Sequence, residues 1–138
     1  MLSQAIMDPS QRKKIEFRLQ QSAEKLRLST LMIKKSLFND SMLYSYLSLF
    51  YSIRTLLVGK DEDSDDYSKI HELTEKYFNP TGWTGVPVAE IIKEAKEFKE
   101  RIERNPGLKV TKSEAEKFNK NASMVFDEIR SMLEKSNQ

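Results

Sequence analysis

A single histidine, His71, and the complete absence of cysteine limit the chemistry open to this chain of 138 residues. Without thiolates there is no disulfide framework, no thiolate metal site and no cysteine nucleophile, so a reducing cytoplasm is permitted. A zinc site would rest on one imidazole plus carboxylates, and acid/base work with two histidines would need a second chain. No metal and no cofactor is expected. His71 has two readings. In one it is a general base reaching a cleft near Arg54; in the other, the weightier, it is a partly exposed helix residue paired with Asp65, Asp66 or Glu75. Arg54 follows an apolar run and suits bidentate phosphate binding, but equally suits a carboxylate such as Glu72 or a helix end. Tyr44, Tyr46 and Tyr51 could stack on a base or hydrogen-bond a phosphate, although tyrosines in such a setting more often keep their hydroxyls at the rim of a core or dimer interface. Tyr44, Tyr51 and Arg54 are the ligand-binding candidates.

Several other patterns invite chemistry and explain themselves more simply. Ser41, Ser45, Ser48, Ser52 and Thr55 step by four, three, four and three, one narrow stripe on a helix. No histidine and no G-x-S-x-G elbow accompanies them, so close helix approach is the sounder explanation. The acidic run DEDSDD, residues 61–66, lacks the sixth-position glycine and distal glutamate of a calcium loop and reads as a solvated, disordered loop. Arg12, Lys13, Lys14 and Arg18 could contact a nucleic-acid backbone, but no aromatics interleave with them and a solvated face fits better. The net charge of +2 argues against uniform steering of a polyanion.

These residues must be positioned by helices. The chain is 38% hydrophobic and 32% charged, with four glycines and four prolines that punctuate it. Asp8, Pro9 and Gln11 supply an N-cap, a first-turn proline and a capping-box partner. Ile15, Leu19, Ala23, Leu26, Thr30 and Ile33 then recur at threes and fours, and the pattern runs to about Leu37. Asn39 and Asp40 offer a break and a new N-cap. The second helix, FNDSMLYSYLSLFYSIRTLLV from Phe38 to Val58, is apolar on most sides and stops at Gly59. It should sit centrally or lie partly against a second subunit. Ser64 or Asp65 can cap a short third helix that ends before Asn79 and Pro80. Pro80 to Pro87 reads as a loop anchored by Trp83. A fourth helix buries Val88, Ile91, Ile92, Ala95, Phe98 and Ile102 and stops before Asn105. Thr111 to Glu114 is a T-x-x-E capping box, and Ala115, Phe118, Ala122, Val125, Ile129 and Met132 form a heptad seam.

The expected fold is therefore all-α, an up-and-down bundle of four long helices plus one short one. A single domain spans residues 9–135, between tails at 1–8 and 136–138. The start shows no signal-peptide pattern, and the most hydrophobic stretch, 42–58, falls short of the roughly 20 residues a membrane span requires. A cytoplasmic, non-membrane protein is expected.

The ordered segments resemble the HEPN domain family (higher eukaryotes and prokaryotes nucleotide-binding), among its small stand-alone prokaryotic members. SAEKLRLSTLMIKKSLF leads through Asn39 and Asp40 into LYSYLSLFYSIRTLL, similar to the family's Tyr-rich segment and its Ala-Arg-x-Leu-Leu ending, matched at Arg54, Leu56 and Leu57. A polar loop, a short helix ending in Tyr77 and Phe78, and a last helix after Val110 and Thr111 complete a resemblance over roughly residues 12–134. It implies the bundle fold, a homodimer and a nucleotide- or RNA-related setting, with a small nucleotidyltransferase as partner in a toxin-antitoxin-like pair. Ribonuclease members carry an Arg followed four to six residues later by His near the last two helices. Lys99, Arg101 and Arg104 lie in that region, but no histidine follows them. Cleavage needs a group titrating near neutrality beside a cation, and only the cation is present. The expectation is a non-catalytic or weakly active binding and dimerisation module. The alternatives are a metal-independent ribonuclease toxin built on Arg54, His71, Lys99, Arg101 and Arg104, and a purely structural helical dimer.

Overall fold

The computed structural model describes residues 8–78 and 86–136. They form α1 (Pro9–Lys34), α2 (Phe38–Val58), α3 (Tyr67–Phe78), α4 (Val88–Arg104) and α5 (Lys112–Ser136), and no strand occurs among them. The all-α expectation of four long helices and one short one holds. The proposed Trp83 loop lies outside the described residues except at its last two positions, as do nearly all of both tails. Among the described residues no helix is long and apolar enough to cross a membrane.

Local chemistry sets most helix ends. Asp8 caps α1 by accepting the Gln11 N–H at 2.8 Å, with Pro9 in the first turn. The Gln11 side chain does not close a capping box; its amide donates to the Val58 carbonyl at 3.4 Å, tying α1 to the end of α2. At α5 the box does close, because Thr111 Oγ1 accepts the Glu114 N–H while Glu114 accepts the Thr111 N–H.

Three boundaries differ from expectation. The helix break after α1 comes from Ser36, at φ 60°, where the Leu37 N–H reaches the Met32 carbonyl at 2.9 Å and the Ser36 N–H reaches Ile33 at 3.0 Å. This left-handed closure needs neither Asn39 nor Asp40. The α2 stop works the same way two residues past its glycine: Gly59 is right-handed and Asp61, at φ 57°, takes the left-handed position. Asp66, rather than Ser64 or Asp65, caps α3, its carboxylate accepting the N–H groups of Ser68 and Lys69 at 2.9 and 3.3 Å.

Helix α2 is the hub, packed against each of the other four. Met42, Tyr46, Leu49, Phe50, Ile53, Leu56 and Leu57 are all buried. Its hydroxyl stripe meets α1 through a buried polar seam. Ser22 lies 3.0 Å from the Ser48 hydroxyl and 2.6 Å from that of Ser52, while Ser29 lies 3.0 and 2.7 Å from those of Ser41 and Ser45. As the α1 number rises its α2 partner's falls, so the two helices are antiparallel. Small side chains permit the close approach, and every buried hydroxyl finds a partner. The buried line of α1 is consequently Ile15, Ser22 and Ser29, at sevens, and the expected core positions Ala23 and Thr30 are exposed. Leu19, Leu26 and Ile33 pack against the core as expected, and the serine line between the helices carries no hydrophobic signal because its contacts are polar.

At the other end of α2, Asn39 holds the α4–α5 connection. Its amide donates to the Leu108 carbonyl and accepts the Val110 N–H, each at 2.8 Å. The buried residues of α4 and α5 follow the expected faces, and Phe98 meets Phe118 edge-on with centroids 5.2 Å apart.

Candidate functional site

The Asp66 carboxylate opens α3, and Tyr67 and His71, four residues apart, stand one turn apart on its side facing α2 and α4. The Nε2 of His71 lies 2.8 Å from the Tyr46 hydroxyl, and the two rings stack at 16° with centroids 6.0 Å apart. Tyr67 packs on Phe50 at 4.3 Å and approaches Tyr46 at 6.4 Å while remaining 43% exposed. From α4, the Lys99 ammonium stands 5.4 Å from the Tyr46 ring centroid and 6.0 Å from that of Tyr67, within cation–π range. Lys99 also pairs with Glu103 at 3.1 Å. An aromatic, imidazole and ammonium cluster is thus assembled from three helices.

Beside it opens a cavity of about 250 Å³ between α3 and α4, with His71, Thr74 and Glu75 on one wall and Ile92, Lys93 and Lys96 on the other. Lys93, Lys96 and Lys99 recur at threes, so α4 presents a run of ammonium groups along this side.

Electrostatics sets the protonation states. Burial pushes the His71 imidazole down to about 4, helped by Lys96 and Lys99 and opposed by Glu100. The ring is therefore neutral at pH 7. Burial also raises the Tyr46 phenol well above its ordinary value, with Tyr67, Glu100 and Glu103 adding to the effect. The pair is a neutral phenol on a neutral imidazole. Such a base is poorly matched to proton transfer near neutrality, and at pH 7 the imidazole holds no proton to give as an imidazolium acid. The cluster is better equipped to hold an anion or an aromatic ring than to move protons.

The remaining site candidates lie elsewhere. Arg54, 8% exposed, does not reach His71 or Glu72; its Nε and Nη2 donate to Asp63 at 2.7 and 3.3 Å, with the rings of Phe50 and Tyr51 beside it. The same carboxylate accepts from Arg18 Nε and Nη2, both at 3.2 Å. The acidic loop is therefore docked on the bundle rather than loose in solvent. Glu62 adds to the docking by accepting a hydrogen bond from the Tyr77 hydroxyl. His71 likewise ignores Asp65, Asp66 and Glu75 as hydrogen-bond partners and takes Tyr46.

Arg101 lies over the Phe98 ring at 4.8 Å, in a separate depression with Glu94, Glu97, Glu114 and Lys117. Arg104, at the end of α4, is exposed. Tyr44 sits near the Lys25 ammonium, 5.7 Å from its ring centroid, and Tyr51 stands edge-on to Phe50. Of the catalytic candidates the fold brings together only His71 and Lys99. It adds Tyr67, Lys93 and Lys96, which sequence reasoning missed. The spacing of Tyr67 and His71 by four, and of the lysines by three, was the available signal. Among the described residues no group of three or more histidines and carboxylates could hold a metal ion.

Comparison with known proteins adds two findings. Residues 15–132 match the HEPN domain family. A protein of Methanocaldococcus jannaschii named "Putative toxin" is 22% identical over 111 residues, covering 80% of this chain and 76% of that protein.

Proposed function

The chain belongs to the HEPN domain family, and from that premise we propose that it is a binding and dimerisation module with little or no nuclease activity. It works in a toxin-antitoxin-like pair, with a small nucleotidyltransferase as partner and RNA or a nucleotide as ligand, in the cytoplasm. The observation that carries the reading is the state of His71. The only imidazole in the chain is hydrogen-bonded to Tyr46 and shifted to about 4, and the buried cation Arg54 is engaged by Asp63 instead. A phosphodiester cleavage that needs a titrating group beside a cation has ammonium groups in Lys93, Lys96 and Lys99 but no group that titrates near neutrality. The relative named as a toxin supports the toxin-antitoxin setting. The partner and the homodimer rest on the family resemblance.

One observation favours the ribonuclease alternative: Lys99 and His71 both converge on Tyr46. Incubating the purified chain with RNA, with and without divalent metal, separates the two. Unchanged RNA is the expected result. Cleavage in wild type that is lost in His71→Ala would overturn the proposal. Retrieval of a nucleotidyltransferase by a pull-down from the native host tests the partner.

A further inference from the structure

The shared carboxylate of Asp63 stands at the edge of a second site, which has none of its lining residues in the Tyr46–His71 cluster. Two guanidiniums, from Arg18 on α1 and Arg54 on α2, donate to that one carboxylate. One negative charge between two positive ones leaves a surplus, and a surplus charge removed from water is costly. Arg54 is almost fully buried, so Asp63 must serve it first; the contact with Arg54 includes the 2.7 Å bond, whereas those with Arg18 are 3.2 Å. Arg18 is the weakly committed partner, with its Nη1 also donating to Gln21 at 2.8 Å.

Next to Arg18 and Asp63 lies a cavity of about 280 Å³. Its α1 wall carries Lys14, Phe17 and Arg18, and Asp61 and Asp63 face them. The charged lining is balanced, Lys14 and Arg18 against Asp61 and Asp63, and Arg54, outside the lining, adds a third cation behind Asp63. Phe17 is 54% exposed and offers an apolar surface alongside.

We propose that this cavity is a phosphoryl-binding site in which Asp63 is a tethered competitor. A phosphoryl group takes the guanidinium fork of Arg18 and the ammonium of Lys14, and Asp63 is left to Arg54 alone. The fork geometry of guanidinium suits two phosphoryl oxygens as it suits two carboxylate oxygens. The loop from Gly59 to Asp66 thereby becomes responsive to the ligand, since its carboxylate is one of the groups exchanged.

The test uses the full chain and inorganic phosphate, with pyrophosphate as a second probe and chloride at equal ionic strength as the screening control. Binding is followed by calorimetry and by the NMR signal of the Arg18 Nε–H. Wild type should show a saturable Arg18 shift with phosphate that chloride does not reproduce. Asp63→Asn should tighten phosphate about tenfold or more, the scale of one charge-assisted hydrogen bond, and Arg18→Gln should abolish it. Arg18→Gln leaves the Arg54–Asp63 pair in place, so it reports even where Asp63→Asn fails to fold. The proposal is overturned by a phosphate shift at Arg18 no larger than at Arg12 and Lys13, by equal affinity in wild type and Arg18→Gln, or by a folded Asp63→Asn variant that binds no more tightly.

Discussion

His71 on α3 and Tyr46 on α2 form a hydrogen-bonded pair, Nε2 to Oη 2.8 Å, with the two rings near-parallel at 16° and their centroids 6.0 Å apart. The bond connects the short helix to the hub of the bundle, and it does so with the imidazole uncharged.

That charge state sets a pH dependence. The folded-state value of about 4 lies below the unfolded 6.5, so between them the unfolded chain binds a proton that the folded chain does not. Stability from this residue is therefore complete above about pH 6.5 and is lost progressively as pH falls toward 4. Urea unfolding between pH 4 and pH 7 should show wild type losing more stability than His71→Gln. Equal slopes would remove His71 from the effect.

The Arg54–Asp63 pair predicts an asymmetric double-mutant cycle. Asp63→Ala leaves a buried guanidinium without its carboxylate and should cost about 2–3 kcal/mol, less than the ~3–5 of a fully buried pair because Asp63 is partly exposed. Adding Arg54→Met should restore part of the loss. Chemical denaturation of the two single variants and the double variant measures the coupling.

The serine seam should tolerate loss better than growth. Ser29→Ala removes hydroxyl contacts to Ser41 and Ser45 and should cost about 1 kcal/mol. Ser29→Leu forces α1 and α2 apart and should cost at least about 1–3 kcal/mol. Thermal unfolding in the same buffer orders the two.

Asn39 should behave as a tertiary clamp. Asn39→Ala strips the Leu108 carbonyl and the Val110 N–H of their partner, at a cost of about 1–3 kcal/mol. Hydrogen exchange at the Val110 amide should accelerate well beyond that of the α5 core amides.

The left-handed positions predict a gain. Ser36 is exposed at φ 60°, where a side chain is disfavoured by about 1 kcal/mol or more. Ser36→Gly should therefore raise stability by roughly 0.5–1 kcal/mol. A fall in the melting temperature would show that the added freedom of the unfolded chain outweighs the relief.

Much of this molecule was legible in its order of residues. Asp8 with Pro9, and Thr111 with Glu114, marked helix starts because capping acts within one turn. The threes and fours of α4 and α5 marked their buried faces, and the apolar surplus of α2 marked the hub. The succession of segments was enough to identify the HEPN family. At α1 periodicity placed Ile15, Leu19, Leu26 and Ile33 against the core but passed over Ser22 and Ser29, where hydrophobicity carries no signal.

Tertiary structure alone decided which polar groups meet. His71 takes Tyr46, 25 positions away, over the nearby carboxylates it was expected to pair with, and Asn39 takes partners 69 and 71 positions away in place of a helix start. Arg54 passes over Glu72 for Asp63, which also draws Arg18 from 45 positions away. Caps and periodic faces are set by backbone geometry a few residues long, so the sequence determined them. Partner choice among buried polar groups depends on which side chains the packed helices bring within about 3 Å, and that distance exists only once the bundle has closed.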